Sequence, residues 1–374
     1  MANRRLERAG VERVVCERLS EINVTTVRDL LSMSSIQLML QANMGLKEAD
    51  ELIAAVSEKV CPKPRNVLEL LLDRSKENMF LGCGVNQMDL ALKGGLPIGS
   101  ISEICGTPGV GKTQFCLSCT LHAVAIPSDP VLSSFSQQNQ RPTVIYIDTE
   151  LKFDPTRLVQ MAVECFPEQY SSDYRIDAPH QLDKLLEAID VKRPVTMNEL
   201  KEELSKLQMA VLSRNVVLIV IDSIAALARK EGFNETDKER FFLTQAGELK
   251  KLAETCRCVV LATNQVSPTS SASATGGFAT RNPMDLYGDA IHDEWGTYQP
   301  TLGPTWHHCV STRLTMHSIS RDYPHQQPPQ QGQEYETGQE DHCQQLRCLS
   351  ITKSPIAAPY KLEVIICARG IVAQ

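Results

Sequence analysis

Apolar residues recur at helical spacing through the first sixty positions, at Leu6, Val14, Val15, Leu19 and Ile22, and predict short helices. Thr26 stands three residues before Asp29, the spacing of a capping box that opens a helix running through Leu31. Ser34 and Ser35 cap the next piece, and Met44-Gly45-Leu46 turns into a helix from about Lys47 to Lys59. Two short helices joined by a Gly-containing turn predict a helix-hairpin-helix, a unit that can present backbone amides to a phosphate. A structural or protein-binding bundle fits the same pattern, since residues 1–60 carry eight Lys/Arg against nine Asp/Glu.

Cys61-Pro62-Lys63-Pro64 breaks the last of these helices and begins a linker over 61–79. From residue 80 the pattern changes. Residues 101–105, 144–147, 216–221 and 259–262 are short apolar runs with helical stretches between them. Such strands predict a twisted, mostly parallel sheet covered on both faces. The expectation is an α/β core over 80–374, preceded by a small all-helical domain over 1–60. Three polar segments interrupt the core and read as exposed loops: 127–142, 267–300 and 321–347.

Composition narrows the class. Of 374 residues, 42% are hydrophobic and 22% charged, which is ordinary globular usage. The net charge of −7 argues against a generic nucleic-acid coat, though a local basic loop still suffices to hold DNA. The N-terminal MANRRLERAG has no apolar stretch of signal type. The thirteen cysteines are therefore expected reduced, most of them as small core hydrophobes. The longest apolar run, 216–221, ends in Asp222, far short of a bilayer span.

The candidate chemistry begins at GTPGVGKT, residues 106–113. It satisfies G-x-x-x-x-G-K-[ST] between an apolar strand and a helical run, the setting in which successive amides curl around phosphate. Gly106, Thr107, Pro108, Gly109, Val110, Gly111, Lys112 and Thr113, with Gln114 beside them, form the expected nucleotide set. Lys112 would reach the β/γ-phosphates, and Thr113 would offer its hydroxyl to Mg²⁺. Asp222, closing VVLIVIDS, is the second expected metal anchor. VIYIDTE puts Asp148 and Glu150 at the carboxyl end of another strand, the edge where such sheets bind ligands. Glu150 is the candidate for polarising water, and Gln265, in VVLATNQV, is the candidate sensor of the γ-phosphate.

These pieces in this order resemble the RecA-type recombinase ATPase core, and the helical domain ahead of it resembles the eukaryotic and archaeal branch of that family. FLGCGVNQMDLALKGGLPIGSISEICG (80–106), TLGPTWHHCVSTRL (301–314) and ITKSPIAAPY (351–360) are similar to the family's remaining segments, nearest its paralogue subfamily of B type. The resemblance implies ATP and Mg²⁺ as cofactors and weak, DNA-stimulated hydrolysis. It further implies nuclear homologous recombination and double-strand-break repair on single-stranded or branched DNA. Its implied partners are other recombinase paralogues in a heteromeric complex, with no membrane. It also implies that Lys353 acts on a neighbour's nucleotide and that Arg229, Lys230 and Arg281 lie on DNA loops. Three departures stand out. Leu151-Lys152 replaces the family's Gly-Thr after Glu150. The linker has no Phe-x-x-Ala, offering Val67-Leu68-Glu69-Leu70 instead. In 267–300, Arg281 is the only Lys or Arg.

Cys116, Cys119 and His122 have metal-like spacing but are expected in the helix core. Trp306-His307-His308-Cys309 is expected in a passage from loop to strand.

Overall fold

Thr26 Oγ1 accepts the Asp29 N–H at 3.2 Å, and Asp29 Oδ2 accepts the Thr26 N–H at 2.9 Å. The expected capping box therefore starts the helix Val27–Leu31. Ser34 does the same for Ser35–Gln41 with Gln37, and Gly45 precedes Leu46–Val60. With Arg13–Glu21 these helices bury Leu6, Leu19, Val27, Leu30, Leu38, Ala49 and Val56 in one small core. The computed structural model describes residues 4–61, 64–74, 79–125, 141–171, 178–232, 234–268, 291–293, 296–319 and 345–374. They fall into two units, 1–73 and 74–374.

The expected linker contains a helix. Val67–Arg74 is a helix, opened by Asn66, whose Oδ1 accepts the Glu69 N–H at 2.8 Å. Leucine-rich sequence favours helix once such a cap is in place. Val67, Leu68, Leu70, Leu71 and Leu72 are all exposed on it.

The second unit is built on strands β1 (Phe80–Leu81), β2 (Leu96–Pro97), β3 (Ile101–Gly106), β4 (Thr143–Asp148), β5 (Ile189–Lys192), β6 (Val216–Asp222) and β7 (Val259–Pro268). They are followed by β8 (Ile291–Asp293), β9 (Gly296–Pro300), β10 (Thr312–Ser318), β11 (Arg347–Lys353), β12 (Tyr360–Cys367) and β13 (Gly370–Ala373). Along the main sheet the order is β13-β12-β11-β10-β3-β7-β6-β4-β5. Strands from β10 to β5 run parallel to their neighbours. From β10 to β13 the pairing is antiparallel, which the four expected strands did not include. One face packs on the helix Lys112–Val124 and the other on Met197–Ser213 and Glu235–Cys256. β3 and β6 are buried along their whole length, as strands covered on both faces must be.

Strand reaches into two of the expected loops. Within 267–300, β7 runs on to Pro268 and pairs with β9, Val266 opposite Pro300. Within 321–347, Arg347 already opens β11. Most of the three expected loops, 126–140, 269–290 and 320–344, lies outside the described residues, and so does Arg281. No helix among the described residues is long and apolar enough to cross a membrane.

Candidate functional site

β3 delivers Gly106 into the 106–113 turn, beside Gln265 of β7 and Met316 of β10. A Cβ on Gly106 would stand 2.4 Å from the Met316 carbonyl oxygen, and one on Gly111 (φ +119) would meet Ile366 at 2.5 Å. Arg347 Nε donates to the Val110 carbonyl at 2.8 Å. At Gly109 (φ +80), by contrast, a Cβ would meet nothing within 4 Å. The turn is tight against the sheet and open at its crest, the shape an amide cradle requires.

Lys112 is buried and donates to the carbonyls of Gly106 and Thr107, both at 2.9 Å. Burial pulls its pKa down, opposed by the charges of Asp222 and Glu150. Its ammonium thus closes on the loop's own carbonyls, where it neutralises their convergent dipoles.

Thr113 Oγ1 donates to Asp222 Oδ2 at 2.8 Å, joining the two expected metal anchors. The Tyr146 hydroxyl donates to the same oxygen at 2.9 Å, and Thr263 Oγ1 to Asp222 Oδ1 at 2.7 Å. A buried carboxylate beside a threonine hydroxyl is an oxygen donor set that suits a hard cation such as Mg²⁺. Together with the cradle, these residues fit ATP·Mg²⁺.

Glu150 and Gln265 meet at 3.2 Å, Nε2 donating to Oε1. The other Glu150 oxygen takes the Lys152 ammonium. Burial alone would raise the Glu150 carboxyl, but the Lys152 ammonium outweighs it and holds the group below its ordinary value. Arg229 adds its charge from the same side, and burial lowers that guanidinium's own pKa. Between Glu150 and Lys152, Leu151 has φ +57, the left-handed region that glycine occupies without strain. Asp148 has another job: its carboxylate caps the turn, accepting the N–H groups of Lys152 at 3.0 Å and Phe153 at 2.9 Å.

Two expected residues stand apart from this cluster. Gln114 accepts from Arg157 Nε at 2.9 Å, and that guanidinium also holds the carbonyls of Cys367 and Ala368 at the turn before β13. Lys353 pairs with Arg313 on β10, three residues back along that strand from Met316, the partner of Gly106. That is about 10 Å from the strand end at 3.4 Å per residue. Its ammonium donates to the His307 carbonyl, on the side away from its own 106–113 turn. Lys230 is exposed.

Cys116 and Cys119 are buried and free, and His122 Nδ1 lies 2.9 Å from the Ser118 carbonyl. Trp306-His307-His308-Cys309 lies on the passage into β10, which is helical there. It belongs to the helix Gly303–Cys309, which buries Trp306 edge-on against Phe242. No group of three or more His, Cys, Asp or Glu suited to a metal occurs among the described residues.

The sequence reading missed Tyr146, Thr263, Arg347 and Glu103. Tyr146 and Thr263 are visible only once β4, β6 and β7 are laid side by side. Glu103 carried a readable signal: a carboxylate inside an apolar strand must find buried donors. It finds Arg313, Trp306 and Asn264.

The family model described as Rad51 matches residues 74–292, and the XRCC3/RpoA-like helix-hairpin-helix domain matches 6–60. The "DNA repair protein RAD51 homolog 2" of Mus musculus is 30% identical, over 100% of this chain and 99% of its own length. The protein of the same name from Homo sapiens is 29% identical over 86% of this chain and 82% of its own length. That from Arabidopsis thaliana is 28% identical over 99% and 91%. Among solved structures, the RadB recombinase superposes with a TM-score of 0.51 at 21% identity, over 78% of this chain and 99% of that one. It supports the fold alone.

Proposed function

The chain belongs to the Rad51 family, as a paralogue of its recombination and repair proteins, and on that premise we propose that it binds ATP·Mg²⁺ and hydrolyses it slowly within a heteromeric complex on DNA. The observation that carries the reading is one edge of one sheet. There the 106–113 cradle, the Thr113–Asp222 pair and the Glu150–Gln265 pair converge from β3, β6, β4 and β7.

Lys112 would exchange the carbonyls of Gly106 and Thr107 for the β/γ-phosphates, a stronger charge-assisted contact. Thr113 and, through water, Asp222 would hold Mg²⁺, which supplies charge neutralisation on the phosphate oxygens. Glu150 would orient the attacking water. Gln265, already against Glu150, would exchange that carboxylate for the γ-phosphate. Lys152 would slow this step, because its ion pair engages the Glu150 carboxylate. Lys353 would serve the neighbouring subunit's nucleotide.

The partners we propose are other recombinase paralogues, engaged by the aliphatic helix Val67–Arg74, with single-stranded or branched DNA as substrate in the nucleus. Arg229, Lys230 and Arg281 are the proposed DNA contacts, and the domains are those read from the sequence with the linker's helix added. The Lys152–Glu150 pair also favours a second reading, a non-catalytic subunit that uses ATP to hold the complex together. Phosphate release by the full chain, with and without single-stranded DNA and beside a second paralogue, separates the two. DNA-stimulated release supports the enzyme; tight ATP binding with no release under any condition supports the scaffold.

A further inference from the structure

Glu150 stands in a turn that is held from both sides. Asp148 is fully buried at the end of β4, and its carboxylate accepts the N–H groups of Lys152 at 3.0 Å and Phe153 at 2.9 Å. Arg193, the residue after β5, reaches the same turn from the neighbouring strand. Its Nε lies 3.6 Å from Asp148 Oδ2, and its Nη2 donates to the Phe153 carbonyl at 3.1 Å. One guanidinium thus spans the first and last residues of the turn 148–153. Toward β6, Thr149 completes the frame. Its N–H donates to the Asp222 carbonyl at 2.9 Å and its hydroxyl to the Ser223 carbonyl at 2.7 Å, while that hydroxyl accepts the Ser223 N–H at 2.9 Å.

Such a frame is needed here. Leu151 has φ +57, and a residue with a side chain keeps that left-handed conformation only where its surroundings over-determine it. Thr149 fixes the start of the turn to β6, but the end at Phe153 is fixed by Asp148 and Arg193. From this geometry we infer that Arg193 is a positioning residue: its guanidinium closes the turn 148–153 and so sets where the Glu150 carboxylate stands. Lys152 and Arg229 act on Glu150 by their charge, whereas Arg193 acts through the two ends of the turn. The Arg193 side chain is half exposed, and Asp148 keeps both N–H donors without it, so the fold is expected to survive its replacement. The inference rests on the proposed role of Glu150 in orienting water and deepens it, by naming the residue that holds that carboxylate in place.

The test separates binding from turnover. Full-length parent, Arg193→Lys and Arg193→Met are titrated with Mg²⁺·ATP by calorimetry, and single-turnover phosphate release is measured alone, with single-stranded DNA and beside a second paralogue. Arg193→Met is expected to keep the parent's ATP affinity and stoichiometry and to release phosphate roughly 10- to 100-fold more slowly, since a displacement of about 1 Å costs up to about 10²-fold. Arg193→Lys keeps the charge but cannot serve both ends of the turn with one ammonium, so it is expected to recover only part of the rate. A merely structural Arg193 would lower the fraction of chains that bind ATP and leave the rate per bound nucleotide unchanged, and that result overturns the inference. Should Arg193→Met fail to fold, Arg193→Lys against the parent decides by the same split. No release by the parent under any condition defeats the catalytic reading of Glu150 and this inference with it. Release by the parent that neither substitution slows defeats this inference alone.

Discussion

Gln265 Nε2 donates to Glu150 Oε1 at 3.2 Å, joining the ends of β7 and β4 across the intervening β6. An amide that could read a phosphate and a carboxylate that could orient water therefore start out in each other's way. Nucleotide would separate them, so sensing and activation of Glu150 become a single event.

Glu150→Gln keeps the shape and the Gln265 contact but removes the negative charge. Hydrolysis is expected to fall by roughly 10²–10⁴-fold, the usual worth of such a group, with ATP affinity retained. Single-turnover phosphate release checks it; wild-type release would move the role to another residue.

Lys152 holds the Glu150 carboxyl below its ordinary value, against burial that would raise it. A depressed carboxyl pKa contributes stability above its unfolded value, lost as pH falls through the folded one. Hydrolysis should likewise decline on the acid side only below the ordinary carboxylate value. Lys152→Ala removes the compensating charge and leaves the burial, so the acid limb of the rate profile is expected to move to higher pH. It also frees Glu150, so release near neutral pH should rise. An unshifted limb would mean the ion pair is absent in solution.

Leu68 and Leu71 are 63% and 61% exposed on the helix Val67–Arg74. Changing both to Asp is expected to alter stability by no more than about 0.5 kcal/mol per site, yet to abolish a complex with a partner paralogue. Light scattering with and without the partner measures both states. Regular homofilaments of the pure chain would remove the case for a heteromer.

DNA binding should carry a modest salt dependence. Each neutralised phosphate contributes a slope of about −0.7 on single strands. Arg229, Lys230 and Arg281, counted with Lys238 and Arg240 of the same stretch 229–240, would then give at most about −3.5. Titrations at several salt concentrations test this, and a much steeper slope would point to a basic surface elsewhere.

The cradle and the parallel strands were legible because the constraint is local: glycines at fixed spacing, and apolar runs long enough for one strand. Thr26–Asp29 and Ser34–Gln37 were legible for the same reason. The strands β10 to β13 were not, since 312–318 and 360–367 mix polar and apolar residues, and in β10 the buried Thr312, Arg313 and Thr315 interrupt the apolar pattern. The helix over 67–74 was masked by Pro62 and Pro64 just ahead of it. The Tyr146 and Thr263 contacts to Asp222 arise only from strand order. Lys112 was placed on phosphate, whereas without it the ammonium takes the nearest carbonyls. Trp306 was read with its polar neighbours, although it is buried against Phe242, a contact that only the fold brings together.

The central claim is that the 106–113 turn is a nucleotide cradle in which Lys112 holds the phosphates. Equilibrium binding of Mg²⁺·ATP to the full chain, compared with Lys112→Ala at matched Mg²⁺, tests it most directly. The account predicts saturable binding by the parent chain and loss of tight binding in a variant that remains folded. Equal affinity in the two proteins would contradict it.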